Sequence, residues 1–455
     1  MSTTSIVVFT RDLRVHDNPV LAAAAAADYI LPLFVHDEAL VATGFATGRR
    51  RRFLDECLAD LDARLRERGA ALIRRAGDLA TEVARLAHEV DAAAVHIAAD
   101  ASDFAERRQR RLAEALTTRR CELVVHDAVH TVLAAGAVTP QGNDHFAVFT
   151  PYHRRWVGAF RRKIASAPRR LRLPPAVPEP EAAVAAGSES GMPGGETEAR
   201  RRAHRWLSDE VDRYHTRHDD LAAERGTSRL SPYLHFGCLS ALELVSEAGT
   251  RHTDGADAFV RQLAWRDFHF QVLAARPKSA HDDYRTRGDA WRDDPQALQA
   301  WQEGQTGIPV VDAGMRQLAA EGWMHNRARL VTGSFLTKTL YLDWRAGAAH
   351  FQRHLLDGDV ANNQMNWQWV AGTGTDTRPN RVLNPLRQAE RYDPTGDYVR
   401  RWVPELAGLD DPRDLHQPWK LGPGELRRLG YPAPIVDLEK ARDRFQQNRQ
   451  LGPDL

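Results

Sequence analysis

Short apolar runs alternate with helical stretches over the first 130 residues. The runs occupy residues 6–10, 30–35, 71–73, 95–98 and 123–125. The clearest helical stripe between them places Phe53, Cys57, Leu61 and Leu65 four residues apart, as in a helix packed on a sheet. Right-handed crossovers between such strands give a doubly wound parallel sheet with helices on both faces. The pattern therefore predicts an α/β domain over residues 1–130.

The hydrophobic pattern changes further along the chain. Residues 168–196 are rich in Pro, Gly, Ala and Ser, which disfavour regular core elements. From residue 197 onward, apolar positions recur at helical spacing, and no alternating strand pattern accompanies them. We therefore expect an interdomain linker over residues 131–196 and an all-α domain over residues 197–455.

Composition narrows the class of protein. The 455 residues are 43% hydrophobic and 27% charged, which is typical of globular domains. The net charge of +1 excludes a global basic field, so any nucleic-acid binding must use a local patch. Three widely spaced cysteines cannot form a disulfide framework or a four-thiolate metal site, and they indicate a reducing compartment. No apolar run approaches the roughly 18 residues of a membrane span, so we expect a cytoplasmic protein without a membrane partner.

Common catalytic motifs are missing from the sequence. No strand is followed by GxGxxG and no P-loop motif occurs, which disfavours a nicotinamide enzyme or an NTPase. His350 and His354 stand four residues apart and could face a metal, although a solvated helix face is favoured and no metal is expected. Residues 154–172 hold eight Arg or Lys and no acidic residue. This run either attracts phosphates or forms a solvated surface.

Tryptophan is confined to the later part of the chain. All 11 Trp lie at or after Trp156, and nine lie at or after Trp265. Within residues 265–384 they alternate with Asp, Asn and Arg, whose polar groups need partners when buried. Two interpretations stay open, a planar ligand with many hydrogen-bonding groups or a helical core rich in aromatic residues.

Several motifs, in this order, resemble the DNA photolyase and cryptochrome family, most closely the class I bacterial cyclobutane pyrimidine dimer photolyases. They are FTRDLR at 9–14, FTPY at 149–152, GTSRLSP at 226–232, WQEG at 301–304, WMHNR at 323–327, and residues 363–369 continuing to 384–385. The resemblance implies a monomeric flavoprotein lyase that binds DNA containing pyrimidine dimers. Light-driven electron transfer from reduced FAD would split the dimer. The alternative is a cryptochrome, a blue-light sensor without repair, and the retained Asn363, Trp265 and Trp369 favour repair.

The resemblance places FAD in the all-α domain. Asp357 and Asp359 match positions at the flavin and ribose, and Arg329 would pair with Asp357. Asn363 matches the residue facing flavin N5, where a neutral amide leaves the reduced ring anionic. Hydroxyls and backbone N–H groups would hold the phosphates. The implied FAD-binding set is Tyr214, Thr227, Ser228, Arg229, Leu230, Ser231, Arg266, Asn326, Arg329, Asp357, Gly358, Asp359 and Asn363.

The resemblance also implies an electron relay and a lesion pocket. Trp367, Trp344 and Trp291 match the three-member relay from flavin to surface. A dimer must be flipped out of the duplex to reach a buried flavin, and Trp265 and Trp369 match the walls of the receiving pocket. The implied lesion- and DNA-binding set is Gln262, Trp265, Asn326, Leu330, Trp369, Arg217 and Arg381.

The sequence departs from the family pattern in its lesion pocket. Gln262 stands where the family has Glu, and it can bond a pyrimidine carbonyl edge but cannot stabilise a protonated partner. Leu330 replaces a Met that packs on the dimer. Both changes bear on rate and lesion preference. Asn326 and Leu330 also occupy the places of the paired His of (6-4) photolyases, which disfavours (6-4) repair.

The family carries a light-harvesting antenna in its amino-terminal domain. Asp100 and Glu106 follow the fourth predicted strand, and Glu106 matches a family carboxylate. Ala105 replaces the Asn typical of folate-binding members. Both 8-hydroxy-5-deazaflavin and 5,10-methenyltetrahydrofolate therefore stay open as the antenna. The two carboxylates could equally be a charge pattern at a helix amino terminus.

Overall fold

A five-stranded parallel sheet forms from the amino-terminal apolar runs in the computed structural model, which describes residues 2–117, 121–175, 177 and 191–450. Its strand order is β3-β2-β1-β4-β5, and every neighbouring pair is parallel. This confirms the predicted sheet. The strands are β1 (Thr4–Phe9), β2 (Tyr29–Asp37), β3 (Ile73–Gly77), β4 (Ala94–Ala98) and β5 (Glu122–His126).

The third strand begins later than the apolar run at 71–73 predicts. It starts at Ile73 and continues through Arg74 and Arg75. Leu72 is buried but precedes the strand, and its N–H donates to Asp62 Oδ1 at 2.8 Å. Among the described strands β3 pairs only with β2. An edge strand admits charged side chains, so apolar character does not mark its extent.

Helices account for most of the remaining described chain, as the pattern predicts. They are α1 (Pro19–Ala24), α2 (Glu38–Ala42), α3 (Gly48–Arg66), α4 (Leu79–Glu89), α5 (Asp103–Thr117), α6 (Phe149–Val157), α7 (Glu196–Asp209), α8 (Tyr214–Arg217), α9 (Ser231–His235), α10 (Ala241–Gly249), α11 (Asp254–Ala275), α12 (Pro295–Gln302), α13 (Pro309–Glu321), α14 (Asn326–Ser334), α15 (Trp344–His354), α16 (Val360–Ala371), α17 (Pro385–Tyr392), α18 (Asp397–Trp402), α19 (Pro412–His416), α20 (Pro423–Leu429) and α21 (Leu438–Asn448). A π-helical turn, Phe335–Thr339, continues α14.

The chain divides into two compact units. Unit 1 comprises Met1–Asp212 and Ser228–Pro277, and unit 2 comprises Arg213–Thr227 and Lys278–Leu455. The boundaries expected at residues 130 and 196 stay a prediction. Within the proline-rich stretch at 168–196, residues 176 and 178–190 lie outside the described residues.

Each unit has its own hydrophobic core. In unit 1, Phe53, Cys57, Leu61 and Leu65 are fully buried on α3, which confirms the predicted stripe. In unit 2, the core includes Trp301 and Trp344 together with aliphatic side chains from α13 to α15. No helix in the described part of the chain has both the length and the apolar character needed to cross a membrane.

Candidate cofactor and lesion site

The first part of the predicted FAD site lies in unit 1, just before α9. Arg229 has a left-handed backbone with φ of 51°, and the N–H of Leu230 donates to Ser228 Oγ at 3.4 Å. Ser231 is the first residue of α9. The turn brings two hydroxyls and several backbone N–H groups close together in sequence. Such groups suit the oxygen atoms of a phosphate.

Arg266 of the same unit extends from α11. Its guanidinium donates to the carbonyl of Leu234 at 3.3 Å and to the carbonyl of His130. It also stacks on Phe270, with Cζ 4.8 Å from the ring centroid. These contacts fix the side chain, so Arg266 supports the α9 segment in addition to any part in phosphate binding.

In unit 2, an ion pair joins the segment before α16 to α14. Arg329 Nη2 lies 2.9 Å from Asp357 Oδ2, and Arg329 Nε donates to the carbonyl of Met324 at 2.9 Å. The next residue, Gly358, accepts a bond from Gln352 Nε2 at 2.6 Å. The structure thus brings together the predicted Arg329–Asp357 pair. Its remaining hydrogen bonds limit the cost of burying both charges.

Helix α16 carries two further predicted residues at its start. Asp359 caps the helix, since its Oδ1 accepts from the N–H and the side-chain amide of Asn362, each at 2.8 Å. One turn later, Asn363 is buried, and its Nδ2 donates to the carbonyl of Ala348 at 3.0 Å. Within the described residues Asn363 Oδ1 receives no hydrogen bond. The amide is therefore oriented by the protein while its oxygen stays able to accept.

The other unit 2 residues of the predicted set lie on two short elements. Tyr214 begins α8, and burial raises the pKa of its hydroxyl, so the phenol stays neutral. Arg217 ends the same helix, and Thr227 is the last residue of this segment of unit 2. Asn326 begins α14 and is exposed, and Leu330 follows one turn later, half-buried.

These residues fit a flavin dinucleotide by the chemistry of their donors and acceptors. Asn363 Oδ1 would accept a bond from the N5–H of a reduced flavin. The Asp357–Arg329 pair provides both charges for the polar edge of the ring, and the hydroxyls of Thr227 and Ser228 suit phosphate oxygens.

Three indoles of the predicted relay lie in unit 2 and differ in exposure. Trp367 is 4% exposed, Trp344 is fully buried, and Trp291 is half-buried. Trp344 Nε1 donates to Asp283 Oδ1 at 2.9 Å. A Cβ on Gly347, one turn after Trp344, would lie 2.3 Å from Cη2 of Trp367. The missing side chain of Gly347 thus lets the Trp367 ring pack directly on the helix that carries Trp344.

The unit 1 part of the predicted lesion pocket lies on α11. Trp265 is half-buried and stacks on Phe149, with centroids 3.7 Å apart and planes 7° apart. Gln262, one turn earlier, is exposed. Arg261 lies over the Phe149 ring at 4.8 Å. Phe149 thus supports one face of the Trp265 indole, which makes it a rigid flat surface.

The unit 2 part consists of Trp369 and the loop after α16. Arg381 is exposed, and its Cζ lies 5.1 Å from the Trp369 ring centroid. Beneath this loop, buried Lys338 donates to the carbonyls of Pro379 at 2.8 Å and Arg381 at 2.7 Å. Burial lowers the pKa of Lys338 to about 7. Sequence reasoning missed Lys338, because one lysine among apolar residues reveals no partner.

The two predicted antenna residues, Asp100 and Glu106, differ in their contacts and exposure. Asp100 follows β4 and forms a two-bond ion pair with Arg11, which follows β1, with Nε–Oδ2 and Nη2–Oδ1 distances of 2.6 Å. Glu106 is exposed on α5. Strand order reverses between β1 and β4, which is where α/β sheets bind ligands. Asp100 therefore lies at the expected ligand-binding edge.

Two residues that sequence reasoning missed join Arg11 and Asp100 at this edge. Arg108 Nε and both ring nitrogens of His130 are buried without a hydrogen-bond partner in the described chain. Burial lowers the pKa of His130 well below its usual range. We call these four residues the switch-point cluster. Buried polar atoms without partners fit a polar ligand that would supply them.

The basic run of residues 154–172 contains both a side chain paired with a buried carboxylate and exposed side chains. Arg162 Nη2 lies 2.8 Å from buried Asp17 Oδ2, so it supports the fold. Arg154 and Arg155 are exposed on α6.

The rings of His350 and His354 lie 4.5 Å apart on α15. In the described residues, no group of three or more His, Cys, Asp or Glu could hold a metal ion.

Two family models match the sequence. The model for DNA photolyase matches residues 5–178, and the model for the FAD binding domain of DNA photolyase matches residues 259–450. A deoxyribodipyrimidine photo-lyase from Streptomyces griseus is 56% identical, over 98% of this chain and 99% of the relative.

Solved structures of the same fold cover nearly the whole chain. A cryptochrome from Synechocystis sp. PCC6803 has a TM-score of 0.89 at 28% identity, covering 98% of this chain and 99% of its own. An archaeal photolyase from Sulfolobus tokodaii, described with two FAD molecules, has a TM-score of 0.84 at 28% identity, covering 98% of this chain and 100% of its own.

Proposed function

Because the chain belongs to the DNA photolyase family, we propose that it is a deoxyribodipyrimidine photo-lyase, which uses light to split cyclobutane pyrimidine dimers in DNA. One observation carries the proposal: a relative of that name is 56% identical over 98% of this chain. Bound FAD, fully reduced, supplies the electron that splits the dimer and takes it back, so the reaction involves no net redox change. The protein residues bind, orient and shield the reactants.

The proposed FAD-binding residues fall into one group in each unit. In unit 1, the Ser228–Ser231 segment provides hydroxyls and N–H groups for the phosphates. In unit 2, the Arg329–Asp357 pair and the cap residue Asp359 would bind the polar edge of the flavin and the ribose. Asn363 would accept a hydrogen bond at N5. A neutral amide there does not repel the anionic reduced ring, whereas a carboxylate would repel it.

Trp367, Trp344 and Trp291 would carry electrons from the surface inward when oxidised flavin needs reduction. Their burial supports this role, because Trp367 and Trp344 are buried and the half-buried Trp291 is the member that can meet a reductant in solution. The relay restores the reduced state and takes no part in splitting the dimer.

The flipped dimer would be held by aromatic surfaces and positive charge. Trp265, supported by Phe149, offers a flat apolar face to a pyrimidine ring. Trp369 offers another, and Arg381 beside it provides a cation for a flanking phosphate. Gln262 is exposed one turn from Trp265 and can bond a pyrimidine carbonyl.

The switch-point cluster would bind the antenna chromophore. Its partnerless buried nitrogens support a polar ligand there. Three ligands are consistent with this: 8-hydroxy-5-deazaflavin, 5,10-methenyltetrahydrofolate and a second FAD, as the Sulfolobus tokodaii photolyase carries two. Denaturing the purified protein and identifying the released chromophores by mass spectrometry decides among them.

We further propose a monomer in the cytoplasm. The three cysteines are free thiols, as expected in a reducing compartment. Sedimentation of the purified holoprotein tests the monomer, and a dimer would contradict it.

Illumination of a defined substrate tests the main proposal. The reduced holoprotein is mixed with an oligonucleotide containing one thymine dimer, and restored thymines are measured after light and after dark incubation. We expect repair only in the light. The double variant Trp265→Ala, Trp369→Ala is expected to bind FAD but to lose repair. An intact dimer after illumination of FAD-loaded wild-type protein would contradict the proposal.

A cryptochrome is the second candidate, favoured by the structural similarity to the Synechocystis protein. It would bind FAD and undergo photoreduction yet leave the dimer intact. The same illumination experiment therefore separates the two functions.

A further inference from the structure

Tyr341 packs against the outermost tryptophan of the proposed relay. The ring centroids of Tyr341 and Trp291 lie 5.1 Å apart. Two bonds join their segments, since the N–H of Arg292 donates to the carbonyl of Tyr341 at 2.9 Å and Arg292 Nη1 donates to the carbonyl of Leu340 at 3.0 Å. All of these residues belong to unit 2. The two aromatic rings are therefore held in fixed contact.

The hydroxyl of Tyr341 has a proton acceptor in place. It donates to Asp289 Oδ1 at 2.9 Å, and Asp289 is almost fully buried. Arg449 binds the same carboxylate through Nε at 2.5 Å and Nη2 at 2.6 Å. Burial and the nearby carboxylate raise the pKa of Tyr341 to about 12, so the phenol stays protonated in its resting state. Losing an electron would make the phenol strongly acidic, and Asp289 is positioned to take the proton.

The backbone shows that this arrangement is specified by tertiary contacts. Tyr341 has a φ of 59°, a left-handed conformation that is unfavourable for a bulky side chain. Contacts around the residue must compensate for that cost. The bonds to Arg292 and Asp289 are such contacts.

A buried tyrosine bound to a carboxylate can also be purely structural. Tyr431 is an example, because its hydroxyl donates to Asp312 Oδ2 at 2.5 Å inside the same unit. In the described structure its ring makes no aromatic contact with a relay tryptophan. The contact with Trp291 is therefore the feature of Tyr341 that points to a redox role.

We propose that Tyr341 is a fourth redox-active member of the relay, resting on the proposed function and on Trp291 as the outer indole. Oxidised Trp291, a radical cation, takes one electron from the Tyr341 phenol and returns to neutral tryptophan. The phenolic proton moves to Asp289 Oδ1 as the O–H bond breaks, which leaves a neutral tyrosyl radical. The electron cannot return from Trp291 to Tyr341 unless the proton also moves back from Asp289, so charge separation lasts longer. Because Tyr341 is buried, a thiol in solution eventually reduces the tyrosyl radical by an electron that enters through half-buried Trp291.

Flash photolysis of the holoprotein with oxidised FAD tests the proposal. Transient absorption and electron paramagnetic resonance follow the tryptophan radical and the tyrosyl radical. In wild type, we expect the tryptophan signal to decay as a tyrosyl signal grows, and the transfer to slow in heavy water because a proton moves. Tyr341→Phe keeps the ring packing and should lose the tyrosyl signal while the tryptophan signal persists. Tyr431→Phe is the matched control and should behave as wild type.

Two results would overturn the proposal. One is a tryptophan radical that decays in wild type without any tyrosyl signal, and the other is a tyrosyl signal that survives in Tyr341→Phe. Dimer repair by chemically reduced wild-type protein reports the proposed function separately, because that assay does not need the relay. Asp289→Asn is a secondary variant, since it leaves Arg449 buried without its counter-ion, and the heavy-water comparison needs no variant.

Discussion

The switch-point cluster of unit 1 and the proposed tryptophan relay of unit 2 differ in whether their buried polar atoms have hydrogen-bond partners. At the sheet edge, Arg108 Nε and both nitrogens of His130 are buried without partners in the described chain. In the relay, the N–H of fully buried Trp344 is bonded to Asp283. The first region has buried polar atoms that a ligand could bind, and the second has at Trp344 a buried N–H that the protein bonds itself. We therefore expect the cluster to need a ligand and the indole of Trp344 to need none.

This difference has an energetic basis. A buried polar atom without a partner costs about 1–3 kcal/mol, so a ligand that bonds the three cluster atoms left without a partner among the described residues would recover part of that cost. A path for electrons needs rigid aromatic contacts and gains nothing from open hydrogen-bonding positions. We therefore expect substitutions in the relay to impair electron transfer and substitutions in the cluster to impair ligand binding.

The largest expected effect is on the relay. Trp344→Phe should nearly abolish photoreduction of oxidised FAD, because phenylalanine is much harder to oxidise than tryptophan. It should also lower stability by about 1–3 kcal/mol, since Asp283 loses its indole donor. Flavin absorbance under continuous light with a thiol reductant measures the first effect. Undiminished photoreduction would remove Trp344 from the relay.

Trp291→Phe is expected to slow photoreduction in the same assay. The chemically reduced variant should still split dimers, because repair does not use the relay. Loss of both activities would contradict the assignment of Trp291.

The next effect concerns the switch-point cluster. Arg108→Leu should lower affinity for the antenna chromophore on the order of 10- to 100-fold, the value of a hydrogen bond to a charged group. FAD content should stay unchanged. Arg110→Leu is the matched control, because Arg110 is exposed on the same helix. Absorbance of chromophores released from each protein gives the measurement, and equal antenna content in both variants would contradict the site.

A smaller effect is expected at the loop after α16. Arg381→Ala should weaken binding of lesion-containing DNA and reduce the salt dependence by about one phosphate contact. Lys338→Met should weaken binding without changing that dependence, because Lys338 is buried and bonds loop carbonyls. Fluorescence anisotropy at several salt concentrations separates the two. A changed salt slope in Lys338→Met would assign its charge to DNA binding.

The smallest effect is on stability as a function of pH. Burial raises the pKa of Asp393 from its usual value to about 6, although its carboxylate accepts the N–H groups of Tyr398 and Val399. The folded state therefore binds this proton more tightly than the unfolded state does. Stability from Asp393 should fall as pH rises from about 4 to 6, by on the order of 1–2 kcal/mol. Urea unfolding of wild type against Asp393→Asn should show the difference, and a difference independent of pH would contradict it.

Much of the fold follows from local pattern. The parallel sheet and the buried stripe of α3 are readable from apolar spacing, because strands and helices repeat at fixed periods. The start of β3 is not, because an edge strand carries arginines without penalty. The FAD and lesion residues came from motifs that resemble a family, and Trp265, Asp357 and Asn363 belong to them.

Other features needed the tertiary structure. Arg108, His130 and Lys338 have no sequence signal of their own, because one charged residue looks the same whether its partners are water or buried carbonyls. The contact between Tyr341 and Trp291 joins residues 50 positions apart and depends on a left-handed residue at the turn.

The sequence by itself therefore determined the order of strands and helices and the residue types available for chemistry, since both are set by local spacing. Tertiary structure alone decided which polar atoms are left without partners and which aromatic rings touch. Those properties depend on distances between segments far apart in the chain, and only the packed fold sets such distances.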